Sequence, residues 1–343
     1  MGARPTIADV AAKAGVSIAT VDRVLNERHP VREQTARRVY EAAAEIGYHA
    51  ASLLRQRLTA VLPHVEFGIL LQRPQQAFYR DFGEEVTRAV ERTPGIRGRC
   101  NLRYVSEPTP AEVVRELEAL AETADAVALT SIDHHAVTKA VEGLKGAKIP
   151  VFALLSDFAQ GVRESYVGLD NLKVGRTAAW LIARTARSPG KVAVFVGSHR
   201  WHGHQLRETG FRSYFREHAP DFQILETVVN LETAEVTHEA TLHLLERHKD
   251  IAGFYVAGGG MEGAISALRE VAPAVYLAAV VNELTPQSSV ALQDHILTGV
   301  IATPLPDLCR ALVDMMMAAV SSGPADMPRQ LFLPLRLHVP ESV

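Results

Sequence analysis

Residues 6–26 constrain the fold of this chain more than any other part of its sequence. They carry the signals of two short helices separated by a tight turn. Thr6 and Asp9 have the spacing of a capping box, which starts a first helix. Gly15 supplies the left-handed conformation that ends this helix, and Ser17 can cap a second helix directly afterwards. The run therefore predicts a helix-turn-helix.

The apolar residues of this run can pack on one side, which leaves a small group of side chains exposed at the start of the second helix. These are Ile18, Ala19, Asp22 and Arg23. In a helix-turn-helix, the second helix enters the DNA major groove with its N-terminal side chains on base edges. A third amphipathic helix is expected at residues 33–46. An alanine-rich bundle without a DNA role is the alternative, but caps, turn and exposed positions agree with one another.

The run resembles, almost letter for letter, the N-terminal headpiece of the LacI family of repressors. The chain departs from the family pattern in this stretch at Asp22, where the family normally has serine. A serine would contact phosphate and an aspartate would be repelled by it, so Asp22 either accepts a hydrogen bond from a cytosine amine or lowers general affinity. The sequence leaves both possibilities open.

The resemblance implies two sets of DNA contacts in the headpiece. Side chains expected on phosphates are Thr6, Ser17, Thr20, Asn26, His29 and Thr35. Side chains expected to face bases are Ile18, Ala19, Asp22 and Arg23, with Arg23 able to grip a guanine O6/N7 edge. In the family, a hinge helix then folds on the operator and inserts a leucine into the minor groove.

The matching stretch of this chain contains candidates for those hinge contacts. Leu53 or Leu54 would be the wedge, and Arg55 and Arg57 would lie on nearby phosphates. A flexible linker with a solvated charged face is the alternative reading of this stretch.

The charge of the chain is unevenly distributed, although its formal net value is only −3. Residues 1–60 carry nine Lys or Arg against six Asp or Glu, and the remainder has an acidic excess. This asymmetry fits a small basic module attached to an acidic regulatory body. The two cysteines, Cys100 and Cys309, have no metal-ligand spacing and indicate a reduced, cytoplasmic setting. We expect no membrane partner, since neither a signal peptide nor an eighteen-residue apolar run is found.

From residue 65 onward, short apolar runs alternate with helical segments. The apolar runs predict strands at 67–71, 126–129, 151–155, 192–196, 253–256 and 275–281, and helices are predicted at 81–92, 111–123, 172–185, 205–218 and 261–271. Such alternation predicts an α/β fold with parallel sheets and helices on both faces. This part resembles the periplasmic sugar-binding protein fold, in which two lobes joined by three crossovers close on a ligand. We expect a DNA-binding domain at 1–48, a hinge at 49–63 and a two-lobed domain at 64–343.

The loops that follow these strands are expected to hold the ligand, because ligands of open α/β sheets lie at the carboxyl ends of strands. Two aromatic side chains beside an amide suit a sugar ring, and the guanidinium of Arg207 can bond two hydroxyls or a carboxylate. The remaining positions are carried over from the resemblance. Candidate effector-binding residues are Gln76, Phe78, Tyr79, Asp133, Asp157, Asn171, Arg207, Gly258, Glu283 and Thr303. Each of these assignments has a purely structural alternative: core packing for the aromatics, helix capping for the aspartates and a surface ion pair for Arg207.

The segment Gly258–Gly263 supports a competing hypothesis. It fits the G-x-G-x-x-G pattern after a strand, and Glu283 follows twenty residues later, as in dinucleotide-binding sites. The alternative function is therefore an NAD-dependent oxidoreductase. In such enzymes, however, the pattern belongs to the first strand of its domain, so we expect the glycines to enlarge the pocket for a bulkier ligand. The histidines near residue 202 lack the ligands that would complete a metal site, and we expect neither a metal nor a cofactor.

Taken together, the sequence predicts a DNA-binding transcriptional regulator, of the repressor type, and not an enzyme. Its expected partners are double-stranded operator DNA, a sugar, polyol or sugar-acid effector, and a second copy of the chain. A dimer is preferred because residues 331–343 lack the heptads of a tetramerising helix.

Overall fold

The computed structural model of the protein describes residues 5–26, 31, 33–48, 62–273, 276–323, 325 and 327–343. The chain divides into two compact units. One comprises Met1–Val65 with Thr93–Arg99, and the other comprises Glu66–Arg92 with Cys100–Val343. The first unit begins with three helices: α1 (Ile7–Ala14), α2 (Ile18–Asn26) and α3 (Glu33–Glu45).

The predicted start and turn of the helix-turn-helix are confirmed. The Thr6 hydroxyl accepts from the Asp9 backbone N–H at 3.4 Å, and the Asp9 carboxylate accepts from the Thr6 N–H at 2.8 Å. Gly15 is left-handed at φ 63°, and Ser17 Oγ accepts from the Thr20 N–H at 3.2 Å. These short-range bonds satisfy helix N–H groups that have no partner inside the helix.

Small apolar side chains form the core between the three helices. Val10, Val21, Val39 and Ala43 are fully buried there. The turn is also held from α3, because Arg38 Nη2 donates to the carbonyl oxygen of Ala14 at 2.6 Å. The last carbonyl groups of α1 have no hydrogen-bond partner inside the helix, and the Arg38 guanidinium satisfies one of them.

The second unit is an α/β structure, in which the remaining elements follow one another along the chain. In order they are β1 (His64–Gln72), α4 (Ala77–Glu91), β2 (Arg97–Val105), α5 (Pro110–Ala121), β3 (Ala126–Leu129), α6 (His135–Gly146), β4 (Val151–Leu154), β5 (Ser165–Leu169), α7 (Asn171–Thr185), β6 (Lys191–Val196), α8 (His202–His218), β7 (Gln223–Ile224), β8 (Val228–Val229), α9 (Ala234–Arg247), β9 (Ile251–Val256), α10 (Met261–Val271), β10 (Ala278–Asn282), α11 (Pro286–Gln293), β11 (Gly299–Ala302), α12 (Leu305–Ser322), β12 (Arg329–Leu333), β13 (Arg336–His338) and a final 3-10 turn (Pro340–Ser342).

The strands form two sheets, one in each lobe. The first has the order β12-β5-β4-β3-β1-β2, and the second has the order β13-β11-β10-β9-β6-β7, with β8 also paired to β6. Pairing is parallel along β1-β3-β4-β5-β12 and β11-β10-β9-β6, and β13 is antiparallel to β11. The chain crosses between lobes after β5, after β11 and after β12. The predicted α/β architecture with two parallel-sheet lobes and three crossovers is confirmed.

Three of the strands that the sequence predicted are buried along their whole length. Every residue of β3, β4 and β10 is buried, as expected for parallel strands covered by helices on both faces. β5 and β11 are also fully buried, but the sequence did not predict them. The strand predicted at 275–281 begins later, at Ala278. The helix predicted to begin at residue 81 begins at Ala77 instead, because Gln76 precedes it without any side-chain cap to mark the start. In the described part of the chain, no helix is long and apolar enough to cross a membrane.

Candidate functional site

A cavity lies where the carboxyl ends of the two sheets meet. The first lobe contributes residues that follow β1, β3 and β4, and the second contributes residues that follow β6, β8, β9 and β10. The lining side chains and backbone belong to Gln76, Phe78, Tyr79, Thr130, Leu155, Ser156, Trp201, Gly203, His204, Arg207, Glu232, Gly258, Gly259, Gly260, Met261, Glu262, Asn282, Glu283 and Thr285. This is the position that open parallel sheets give to ligands.

Arg207 reaches the cavity from the second turn of α8 and is fixed by two neutral acceptors. Its Nε donates to Asn171 Oδ1 at 2.7 Å, and its Nη1 donates to the carbonyl oxygen of Ala257 at 2.6 Å. Only 7% of the residue is exposed. The predicted Asn171 does not line the cavity but orients Arg207, and its own amide is held by the Leu155 carbonyl at 3.0 Å. The guanidinium is thus positioned before any ligand arrives.

The aromatic pair lies in the first turn of α4, on the opposite lobe. The rings of Phe78 and Tyr79 meet edge to face with centroids 5.3 Å apart. Burial raises the pKa of the Tyr79 phenol, so the hydroxyl stays protonated at neutral pH and can donate a hydrogen bond. An apolar ring face beside donors and acceptors is suited to a sugar ring.

Glu283 lines the cavity, whereas the predicted Thr303 binds Glu283 from behind. The Thr303 N–H donates to Glu283 Oε2 at 2.6 Å, and its hydroxyl donates to Oε1 at 2.8 Å. Burial raises the pKa of the Glu283 carboxyl, and the Thr303 bonds oppose that shift. Thr303 itself faces a neighbouring cavity that shares Phe78 and Glu283 with the main one.

Glu232 and His204 form a polar pair on the wall of the second lobe. The Gly259 N–H donates to Glu232 Oε1 at 3.1 Å, and His204 Nε2 lies 3.6 Å from the same oxygen. The Gly197 N–H donates to His204 Nδ1 at 3.2 Å, which places the imidazole proton on Nε2, facing Glu232. Burial lowers the pKa of His204 to about 4, so the ring is neutral at neutral pH.

This pair accounts for two positions of the glycine-rich segment. A Cβ on Gly258 would lie 2.6 Å from the His204 ring, and a Cβ on Gly259 would lie 3.0 Å from Glu232 Cβ. Glycine at these positions therefore leaves room for His204 and Glu232, while the glycine backbone lines the cavity. The N–H that a dinucleotide phosphate would use is already bonded to the Glu232 carboxylate, and Glu283 is bonded to Thr303. The geometry does not favour the oxidoreductase hypothesis.

Besides Asn171 and Thr303, two more predicted residues do not line the cavity. Asp133 is exposed, and it accepts from the Ala159 N–H at 3.4 Å. Asp157 is buried against Arg163, whose Nη2 lies 2.7 Å from Oδ2, and Arg163 Nη1 donates to the backbone of β12. Both aspartates therefore stabilise the loops after β3 and β4. Neither caps a described helix, since the N-cap of α6 is His134.

Several cavity residues were not predicted from the sequence. Thr130 directly follows β3 and carries a buried hydroxyl oxygen without a hydrogen-bond partner among the described residues. Trp201 and His204 belong to the histidine-containing segment near residue 202, which we considered above only as a metal site. Glu232 has no sequence signal at all. Among the described residues, no group of three or more His, Cys, Asp or Glu side chains could hold a metal ion.

The backbone around Glu232 has an unusual conformation. Leu231 and Glu232 both have positive φ, 52° and 56°, a conformation that costs L residues about 1–2 kcal/mol each. The buried Asn230 holds this turn, because its Oδ1 accepts from the Glu232 N–H at 3.0 Å. The Glu232 carbonyl then accepts from Arg73 Nη1 at 3.2 Å and Gln76 Nε2 at 3.0 Å, both on the opposite lobe.

In the helical unit, the second helix presents the surface that the sequence predicted. Ile18 is 57% exposed, Ala19 and Arg23 are also exposed, and Asp22 is half-buried. The hydroxyls of Ser17 and Thr20 lie 2.8 Å apart, while Thr6 is exposed and Thr35 is half-buried. His29, Leu53, Leu54, Arg55 and Arg57 lie outside the described residues, as does the side chain of Asn26.

Family models match both parts of the chain. The model for bacterial regulatory proteins of the lacI family matches residues 6–50. The periplasmic binding protein domain matches residues 67–324, which is more than half of the chain. Among individual proteins, the HTH-type transcriptional regulator DegA of Bacillus subtilis is 25% identical over 260 residues, covering 73% of this chain and 72% of DegA.

Two further similarities agree with these matches. The HTH-type transcriptional regulator RegA of Clostridium saccharobutylicum is 41% identical over 95 residues, 26% of each protein. The crystal structure of GanP, a glucose-galactose binding protein from Geobacillus stearothermophilus, superposes with a TM-score of 0.73 at 17% identity, covering 82% of this chain and 99% of GanP. At that identity GanP shows the fold alone. The chain belongs to the LacI family of DNA-binding transcriptional regulators, with a periplasmic binding protein domain as its core.

Proposed function

We propose that this regulator binds a pseudo-palindromic operator as a homodimer in the cytoplasm, and that a sugar-like effector in the cleft changes its affinity for DNA. The observation that carries the effector proposal is the fixed Arg207 guanidinium facing the Phe78–Tyr79 pair across one cavity. Hydroxyl-rich ligands need this combination of an apolar ring face and converging polar groups. The similarity to GanP, which is named for binding glucose and galactose, supports a sugar among the expected sugar, polyol and sugar-acid classes.

The DNA-binding proposal uses the exposed face of α2. Ile18 and Ala19 would contact thymine methyl groups, and Arg23 would bond a guanine edge. Asp22 would lie beside these base contacts. The hinge contacts would come from Leu53 or Leu54 together with Arg55 and Arg57. The side chains proposed to lie on phosphates are Thr6, Ser17, Thr20, Asn26, His29 and Thr35. Gln76, Phe78, Tyr79, Arg207, Gly258 and Glu283 are the effector contacts we propose, with Asn171 and Thr303 holding two of them.

Coupling between the cleft and the DNA is tested with one variant of Arg207. Operator sequences are first selected from a randomised duplex pool, and sugars, polyols, sugar acids and NAD(H) are screened by thermal shift. A ligand at a hundred times its Kd adds about 2.7 kcal/mol of stability. We expect a sugar-class hit that changes operator affinity, and we expect Arg207→Ala to lose both responses while it still binds the operator.

The matched control is Arg216→Ala on the same helix. The Arg216 side chain is 77% exposed and does not line the cavity, so both responses should persist in this variant. An unchanged sugar response in Arg207→Ala would contradict the proposed site. A shift with NAD(H) alone would favour the oxidoreductase instead.

A further inference from the structure

The Glu232 carboxylate lines the cavity and accepts a hydrogen bond from the glycine-rich segment. Its Oε1 accepts from the Gly259 N–H, next to the N-terminus of α10, and faces the Nε2–H of the neutral His204. N–H groups and a helix N-terminus both favour a negatively charged side chain. The close fit of His204 over Gly258 leaves little room for the carboxylate to move away from the cavity.

The charges of the cavity wall are predominantly negative. Its described lining carries the carboxylates of Glu232, Glu262 and Glu283 against the single guanidinium of Arg207. The outer cavity that continues from it adds Arg73 and Arg80 but also Glu235, so the two cavities together hold no positive excess. Such a wall repels an added negative charge, because interactions between buried or partly buried charges are screened less than those in water.

We propose that Glu232 selects the charge of the effector, so that the cleft accepts uncharged or amino sugars and rejects sugar acids. This inference rests on the proposed sugar-responsive function and narrows its ligand class. The unpartnered Thr130 hydroxyl on the opposite wall supports a hydroxyl-bearing ligand that reaches from one lobe to the other. Arg207 then bonds sugar hydroxyls, while its charge offsets one of the carboxylates around it.

The experiment uses the full-length protein and ligands that share one ring but differ in charge. D-galactose, D-galactosamine and D-galacturonate, with the matching glucose and mannose sets, are compared by thermal shift and calorimetry. In the wild type, we expect the neutral or amino member to bind at least about tenfold more tightly than the acid. Glu232→Gln should reduce this discrimination about tenfold, because the amide keeps an oxygen for the Gly259 N–H but carries no charge.

Two further variants separate charge from shape. Glu262→Gln makes the same change on a half-exposed residue that also lines the outer cavity, and solvent screening should leave discrimination almost unchanged. Glu232→Asp keeps the charge and should keep the rejection of acids even where overall affinity falls.

The outcomes distinguish this inference from the proposed function. The role of Glu232 would be overturned if the wild type bound the sugar acid most tightly. It would also be overturned if the wild type and Glu232→Gln discriminated equally between neutral sugars and sugar acids. Either result would leave the proposed sugar-responsive regulator intact. Failure of every sugar to bind would overturn both.

Discussion

At the scale of a single residue, His204 links stability to pH. Its folded-state pKa is lowered to about 4 by burial, whereas an unfolded histidine titrates near 6.5. The neutral ring therefore contributes stability that is fully present above about pH 6.5 and is lost as the pH falls towards 4. We expect the free energy of unfolding to fall more steeply in the wild type than in His204→Gln across this window, by up to about 1.4 kcal/mol per pH unit.

Chemical denaturation at several pH values measures this difference. The raised pKa of Glu283 acts in the opposite direction, since an acid with a raised pKa stabilises the fold as the pH falls. Because Glu283 is present in both proteins, comparing their slopes removes its contribution. Parallel slopes would show that His204 is not the buried neutral base described here.

Residue-scale features were predictable where the signal is local in sequence. The Thr6–Asp9 capping box and the left-handed Gly15 could be predicted because their partners lie within a few residues. The glycines at 258–260 were expected to enlarge the pocket, and their pattern did not predict that His204 and Glu232 lie against them. Glu232 lies 26 residues before Gly258, and only the fold brings its carboxylate there.

At the scale of the elements, two glycines set the distance between α7 and α8. A Cβ on Gly175 would collide with the backbone carbonyl of Arg207, and a Cβ on Gly210 would collide with that of Leu172. The close contact of these helices therefore positions Arg207 relative to Asn171. We expect Gly175→Ala to destabilise the protein by about 1–3 kcal/mol, as overpacking does, and to weaken effector binding.

Gly143 provides the matched control for this helix-packing prediction. It lies exposed within α6, and a Cβ there meets nothing within 4 Å. Gly143→Ala should therefore stabilise the protein by about 0.5–1 kcal/mol through helix propensity alone. Thermal unfolding and effector titration of both variants check the prediction, which fails if Gly175→Ala behaves like Gly143→Ala.

Burial made some elements predictable, although the short, fully buried strands β5 and β11 were missed. β3 and β4 are continuous buried apolar runs, and α10 has the bounds that the sequence predicted. β2 was not predicted, because this edge strand of Arg97–Val105 is mostly half-exposed and rich in arginine. α9 has a weakly amphipathic pattern and was also missed, although its preceding loop carries Glu232. The site was thus predicted best where its residues follow strongly apolar strands.

At the scale of the whole α/β unit, each lobe has an apolar core built mainly from its own elements, and the lobes meet around the cleft. One core cluster includes Leu70 and Leu129 in the first lobe, and others include Val194 and Phe254 in the second. Hydrogen bonds to the Glu232 carbonyl cross the cleft without involving either core. Binding and closure can therefore be altered with little effect on the folding of each lobe.

A variant of Arg73 tests whether hydrogen bonds across the cleft hold the lobes together. Arg73 Nη1 donates to the Glu232 carbonyl on the other lobe, and Arg73 lines only the outer cavity. Losing one such bond typically costs about 0.5–1.5 kcal/mol. We expect Arg73→Ala to weaken effector binding by that amount and to leave the effector-bound protein with a larger radius of gyration by small-angle scattering. Arg80→Ala is the control, since its guanidinium donates to Gln75 within the same lobe at 3.0 Å. Equal affinity and size in both variants would show that the Glu232 carbonyl does not hold the lobes together.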